Sequence, residues 1–177
     1  MVKFKKNKII IIGKSGTGKS QLALELGLKK LGTTIICNGS VDKSYYEKMF
    51  QNLKEFENKD GSYTFTPEKN RKYYIRTDNC KSAIGFVNAL IRGCDYETLG
   101  TDKKATIIYD DNAWGDSENN MLTLWQLSHT DCKIIITAES LCDVLKIDES
   151  ELTEEMIKDV SKYWDIVRLV KINKIYS

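Results

Sequence analysis

Histidine, proline and arginine are scarce in this chain. Among its 177 residues there are one histidine, one proline and four arginines, and the five cysteines form no C-x-x-C pair. With a single histidine, this spacing excludes the usual zinc-binding patterns. An odd number of scattered cysteines is typical of reduced thiols, which indicates a cytoplasmic protein.

Long hydrophobic runs and an excess of one charge are missing as well. The apolar run at residues 9–12 is four isoleucines, far short of the roughly 20 residues of a membrane span, and it does not fit a signal peptide. The formal net charge of +2 argues neither for nor against nucleic acid. The length predicts one domain over residues 1–177, with an insertion at about residues 57–76.

A complete glycine-rich pattern stands at residues 13–20, where GKSGTGKS fits G-x-x-x-x-G-K-[ST] at every fixed position. Glycines let backbone N–H groups turn inward around anionic oxygens, and the following helix points its positive end at the same place. The pattern predicts a site for ATP, with Lys19 on the β- and γ-phosphates and the Ser20 hydroxyl on Mg²⁺. The predicted binding residues are Gly13, Lys14, Ser15, Gly16, Thr17, Gly18, Lys19, Ser20 and Gln21. The alternative is an accidental glycine-rich turn.

Short apolar strands alternate with helical periodicities along the chain. Continuous apolar strands indicate a parallel sheet covered on both faces. We therefore predict an α/β P-loop NTPase with about five core strands, covered by helices on both faces, and a small β-hairpin insertion that pairs residues 63–65 with 73–75. The predicted strands are 8–12, 33–38, 105–109, 133–137 and 166–172, and the predicted helices are 21–31, 43–56, 79–91, 119–129 and 154–164.

Two consecutive acids end the hydrophobic strand at 105–109. Because the carboxyl ends of parallel strands border the ligand crevice, Asp110 is expected to hold Mg²⁺ opposite Ser20, and Asp111 to polarise the attacking water. The alternative is a solvated turn, since Asp-Asp-Asn is turn-like. Along the chain, the strand at 33–38 stands between the strand before the glycine-rich loop (the loop strand) and the strand that ends in the two acids (the acidic strand). This arrangement is typical of the RecA-like (ASCE) division of NTPases, which inserts an additional strand there and activates water with an acidic residue.

The next strand ends in Thr137-Ala138-Glu139. This end is expected to approach the γ-phosphate from the neighbouring strand, with Thr137 and Glu139 as sensor residues. Together with Asp111 and Lys19 they make up the predicted catalytic set. The alternative for Thr137 and Glu139 is capping of the turn that follows.

Three segments resemble the HerA/FtsK superfamily of motor ATPases, above all the branch of viral genome-packaging and filamentous-phage assembly ATPases. They are DDNA at 110–113, LSHTDC at 127–132 and KIIITAES at 133–140. Ser128 and Glu139 stand where that branch has Arg and Gln, so Glu139 is an alternative base to Asp111. The resemblance, which spans about residues 8–168, implies a Mg²⁺-dependent ATPase that assembles as a homo-oligomeric ring and acts on double-stranded DNA or in a phage or transfer apparatus. If the chain is viral or belongs to a mobile element, the location it implies is the host cytoplasm.

Two other functions remain open from the sequence. A small-molecule kinase of this size commonly carries an arginine-rich lid, and four scattered arginines supply no such segment. A slow regulatory NTP-binding module is the second alternative, because Asp111 and Glu139 both depart from the family pattern.

Overall fold

The computed structural model describes residues 4–29, 32–38, 50–52, 70–76, 105–110 and 120–170. Within them, seven strands form one sheet in which every pairing is parallel. They are β1 (Lys8–Ile12), β2 (Thr34–Asn38), β3 (Gln51–Asn52), β4 (Lys72–Arg76), β5 (Thr106–Asp110), β6 (Lys133–Ala138) and β7 (Asp165–Arg168). Their order across the sheet is β3-β4-β2-β5-β6-β1-β7. The predicted α/β class and parallel sheet are confirmed.

Four helices accompany the sheet in the described part: α1 (Lys19–Leu28), α2 (Asn120–Ser128), α3 (Leu141–Leu145) and α4 (Glu154–Tyr163). A single 3-10 turn, Glu149–Glu151, lies between the last two. Thr153 caps the start of α4, because its hydroxyl accepts a hydrogen bond from the Met156 N–H at 3.2 Å.

Alternate residues of the buried strands face two separate apolar layers, as the period of two in a strand requires. On one face, Ile9, Ile11 and their counterparts in β2, β5 and β6 pack with Ala23 and Leu24 of α1. On the other face, Ile10 and Ile12 belong to a larger cluster that includes side chains from α2, α3 and α4. Helices therefore cover both faces of the sheet, as predicted.

The helix predicted over 43–56 is wrong where the structure describes it. Phe50 is buried in the same apolar cluster as Tyr74, and Gln51–Asn52 pair with Tyr73 and Tyr74 as strand β3. Sheet pairing and burial of Phe50 outweigh the helical spacing of apolar residues, because tertiary context overrides a local pattern. Residues 43–49 and 53–56 lie outside the described residues.

The predicted hairpin is also wrong in its second arm. Tyr73 and Ile75 lie in β4, which pairs in parallel with β2 on one side and β3 on the other, and both side chains are buried. With a neighbour on each edge, β4 is an interior strand of the sheet and not an arm of a surface hairpin. The first arm, residues 63–65, lies outside the described residues, as does the helix predicted over 79–91.

The described sheet has more strands than predicted, and the structure also gives their order. Strands β3 and β4 extend the expected five strands to seven, and β7 ends at Arg168. In the sheet, β6 lies between β1 and β5, whereas β2 lies on the far side of β5. The strand that separates the loop strand from the acidic strand in space is therefore β6, which follows both of them in the chain.

Candidate functional site

Residues 13–18, the glycine-rich loop, join β1 to α1 at the carboxyl edge of the sheet. Its start is tied to the end of β6, because the Gly13 N–H donates to the carbonyls of Ala138 (3.2 Å) and Glu139 (3.1 Å). A Cβ atom at position 13 would lie 2.6 Å from the Leu169 carbonyl oxygen and 2.9 Å from Thr17 Oγ1. Glycine is needed here because the loop passes this close to the segment after β7.

The loop turns into the helix at Gly18, the N-cap residue of α1, which has a left-handed conformation with φ 87°. Thr17 closes the turn, since its N–H and its hydroxyl both donate to the Lys14 carbonyl, at 3.3 and 2.8 Å. Four amides, those of Gly16, Gly18, Lys19 and Ser20, make no hydrogen bond within the described part of the chain. They stand at the positive end of the helix, where an anion is favoured.

Lys19 folds back across this loop. Its side chain is buried, and Nζ donates to the carbonyl oxygens of Gly13 (2.7 Å) and Lys14 (3.2 Å). An ammonium group has three donors, so these two bonds hold it in place and leave one donor for a further acceptor. A fixed positive charge therefore lies beside the unbonded amides.

Asp110 and Thr137 form a buried pair at the ends of β5 and β6. Asp110 is 2% exposed and Thr137 is 0% exposed, and the threonine hydroxyl donates to Asp110 Oδ1 at 2.7 Å. Asp110 stands two residues after Ile108 in β5, and Thr137 stands two residues after Ile135 in β6, so each lies on the same face as that isoleucine. Both isoleucines belong to the apolar cluster on the α1 face. The pair therefore lies on the same side of the sheet as α1.

A cavity of 280 Å³ lies over the loop and the first turn of α1, lined by residues 15, 16, 18–21 and 139. It brings together Lys19, Ser20 and Glu139, three residues that the sequence analysis assigned to phosphate, metal and catalysis. Gln21 is an exposed lining residue whose side chain amide donates to Glu25 at 3.2 Å. Asp110 and Thr137 are not among the described residues that line this cavity.

The structure describes some residues of the predicted catalytic set and not others. Glu139 is exposed and lines the cavity. Thr137 is instead hydrogen-bonded to Asp110, and its role as a sensor of phosphate remains a prediction. Asp111 lies outside the described residues.

His129, which lies in the 127–132 segment of the family resemblance, is away from the loop at the end of α2. Its Nδ1 is 2.8 Å from the Trp125 carbonyl oxygen, and its ring packs against Trp125 and Tyr163 at centroid distances of 4.4 and 5.3 Å. These contacts are typical of a histidine that caps a helix end and packs on the surface.

No functional role was predicted for the segment after β7, which the structure places against the loop. Leu169 N–H donates to the Ile12 carbonyl at 2.7 Å, and residues 168–170 line a second cavity, of 470 Å³, on the other side of the loop. The signal that could have found them is the edge rule for parallel sheets, because a strand beside β1 must end beside the glycine-rich loop.

Comparison with protein-family models, with curated proteins and with solved structures finds no match to this chain. Among the described residues no helix is long and apolar enough to cross a membrane, and none of their His, Cys, Asp and Glu side chains gather in a group of three or more that could hold a metal ion.

Proposed function

We propose that this chain binds ATP with Mg²⁺ and hydrolyses it. The observation that carries the proposal is the set of unbonded amides around the Lys19 ammonium at the start of α1. Several N–H donors, a fixed positive charge and a helix N-terminus in one concave site favour an anion with many oxygens, such as a triphosphate. An accidental glycine turn would not require a buried lysine whose Nζ bonds two carbonyls of the loop.

Ser20 and Asp110 are the residues that we propose for the metal. A hydroxyl and a carboxylate are hard oxygen ligands of the kind that Mg²⁺ accepts. Asp110 lies on the α1 face of the sheet, and Thr137 orients its carboxylate. Bound Mg²⁺ would neutralise phosphate charge; the role of Asp110 is to present an oriented, buried anion, and the role of Ser20 is to present its hydroxyl from the first turn of α1.

For the base we propose Glu139, with Asp111 as the alternative. Glu139 is an exposed residue that lines the cavity together with Lys19 and Ser20, and its backbone carbonyl accepts a hydrogen bond from the Gly13 N–H. A carboxylate at this position is able to orient water and accept its proton. If this is right, Glu139→Gln will abolish hydrolysis and leave ATP affinity within about twofold, because water orientation acts mainly in the transition state. The reverse result, with Asp111→Asn inactive and Glu139→Gln active, would assign the base to Asp111.

We further propose membership of the RecA-like division and of the HerA/FtsK motor superfamily. The support for the division is the position of β6 between the loop strand and the acidic strand, and the support for the superfamily is the set of three resembling segments. On this proposal the chain is cytoplasmic and assembles as a homo-oligomeric ring that acts on double-stranded DNA, in a phage or transfer apparatus.

The binding proposal is tested by calorimetric titration of Mg²⁺–ATP into the wild-type chain and Lys19→Ala. Loss of a charge-assisted hydrogen bond to phosphate costs about 1.5–3 kcal/mol, so affinity should fall about ten- to a hundredfold. Lys29→Ala is the matched control, because Lys29 is an exposed lysine just after the other end of α1, and it should leave affinity unchanged. Equal affinities for wild type and Lys19→Ala would refute nucleotide binding at this loop.

The motor proposal needs a separate measurement, because binding alone does not distinguish it from the alternatives. Specific ATPase activity is measured across a hundredfold range of protein concentration, with and without double-stranded DNA. In a ring the next subunit supplies a charge to the site, so activity should rise more than linearly with concentration and rise again with DNA. Stimulation by nucleoside monophosphates instead would indicate a kinase, and slow turnover that responds to neither would indicate a regulatory module.

A further inference from the structure

The second cavity, of 470 Å³, adjoins the first one at the glycine-rich loop. Ser15 and Glu139 line both cavities, so the two are neighbours. The first borders the unbonded amides and Lys19, and the second is bordered by residues 168–170. A volume of 470 Å³ is within the range of about 300–1,000 Å³ for small-molecule sites.

Backbone contacts hold the far wall of this cavity firmly against the loop. β7 pairs with β1 so that Arg168 stands beside Ile12, and the next amide, of Leu169, donates to the Ile12 carbonyl at 2.7 Å. The carbonyl oxygen of Leu169 reaches so close to Gly13 that no side chain fits between them. Residues 168–170 are therefore positioned by the same strand that positions the loop.

The chemistry of this wall differs from that of the phosphate end. Leu169 and Val170 present aliphatic carbon, and Val170 is 73% exposed. Arg168 is exposed, and its guanidinium makes no hydrogen bond or ion pair within the part of the chain that the structure describes. An unpaired planar cation beside aliphatic surface suits a flat aromatic ring, which stacks on the guanidinium and buries its faces.

We propose that the 470 Å³ cavity holds the base and ribose of the nucleotide, with the Arg168 guanidinium stacked on the base. The inference rests on the proposed function, since it assigns the second half of the ligand whose phosphates lie on the glycine-rich loop. Because Ser15 and Glu139 line both cavities, a single molecule with a polyanionic end and an aromatic end would occupy the two together.

The test compares two ligands that differ only in the nucleoside: Mg²⁺–ATP and Mg²⁺–inorganic triphosphate, each titrated calorimetrically. Arg168→Ala should weaken ATP about tenfold, the size expected for the loss of one stacking and cation–π contact, and should leave triphosphate within about twofold. Arg168→Lys should not restore ATP affinity, because lysine has the charge without the planar face. Lys162→Ala, which removes an exposed cation on α4, is the control and should change neither affinity.

Each other outcome overturns the inference in a recognisable way. An equal loss for both ligands would place Arg168 on the phosphates, and no loss for either would leave the cavity without a role. Full rescue by Arg168→Lys would show that charge and not stacking is what matters. If the wild type binds neither ligand, the proposed function itself has failed. If the wild type binds both ligands and Lys19→Ala weakens both, the proposed function stands whatever Arg168→Ala does.

Discussion

The hydrogen bond between Thr137 and Asp110 is the contact whose removal tests most directly how the proposed metal-binding end of the site is built. Thr137→Val replaces the hydroxyl with a methyl group of similar size, so the change removes a bond without opening a cavity. The bond is 2.7 Å long, both side chains are almost fully buried, and its acceptor is a carboxylate. Hydrogen bonds to charged groups contribute about 1.5–3 kcal/mol, so we expect the free energy of unfolding to fall by about 2 kcal/mol.

Urea unfolding followed by circular dichroism measures this change. With a slope of about 2 kcal/mol per molar urea for a domain of this size, the midpoint should fall by about 1 M. Thr130→Val is the matched control, because its hydroxyl donates to a neutral backbone carbonyl, that of Leu127, at 2.8 Å on a half-buried residue. It should cost about 1 kcal/mol or less.

A second background separates the charge from the hydroxyl. In Asp110→Asn the acceptor is neutral, so adding Thr137→Val there should cost about 1 kcal/mol less than it does in the wild type. Two results would contradict this expectation. One is a loss of stability in Thr137→Val that is no greater than in Thr130→Val, and the other is a loss on adding Thr137→Val that is the same in both backgrounds. Either result would mean that Thr137 does not hold a charged carboxylate, and its sensor role would then be the better explanation for a threonine there.

Three further predictions concern packing, burial and capping. Gly27→Ala should destabilise the protein by about 1–3 kcal/mol in urea unfolding, because the new methyl group would lie 2.6 Å from Cδ1 of the buried Ile108; a gain in stability, which alanine normally gives inside a helix, would contradict the close approach of α1 to β5. Burial lowers the pKa of Lys8 from 10.5 to about 8, so between pH 8 and 10.5 the unfolded chain binds the proton that the folded chain has lost, and wild-type stability should rise over that window relative to Lys8→Met. A difference between these two proteins that is flat from pH 7 to pH 10 would contradict it. Thr153→Ala should cost about 1 kcal/mol through the loss of the N-cap bond to Met156, and Ser161→Ala, an exposed change inside α4, should cost less than half of that.

The parts of the fold that were predictable are those with local signals. Four isoleucines in a row, a glycine pattern and a helical leucine spacing predict β1, the loop and α1 because each signal lies within a few residues. The same holds for Thr153, whose capping bond spans three residues. The prediction failed at β3, where Gln51–Asn52 pair with β4, since a two-residue strand is decided by its neighbour in the sheet and not by its own sequence.

The candidate site also has one part with local sequence signals and one part without them. The glycine-rich loop, which we propose binds phosphate, is one contiguous segment, so its residues are predictable as a group. The structure adds the Lys19 bonds to the loop carbonyls. The other contributors come from strand ends that only the sheet order brings together. Arg168 borders the site because β7 is the neighbour of β1, and no periodicity in the sequence states which strand takes that place.

The pairing of Asp110 with Thr137 depends on the register between β5 and β6, which the apolar pattern of a strand does not determine. In the observed register Tyr109 stands beside Ile136, so the next residues along, Asp110 and Thr137, meet on the α1 face. A slip of one residue in β6 would turn the Thr137 hydroxyl to the opposite face and bring an isoleucine or alanine to the carboxylate. The continuous apolar run from Ile134 to Ile136 tolerates either register equally well. The hydrogen bond from Thr137 to Asp110 therefore helps to select the register. In the slipped register the buried carboxylate would lose this charged hydrogen bond, which costs free energy.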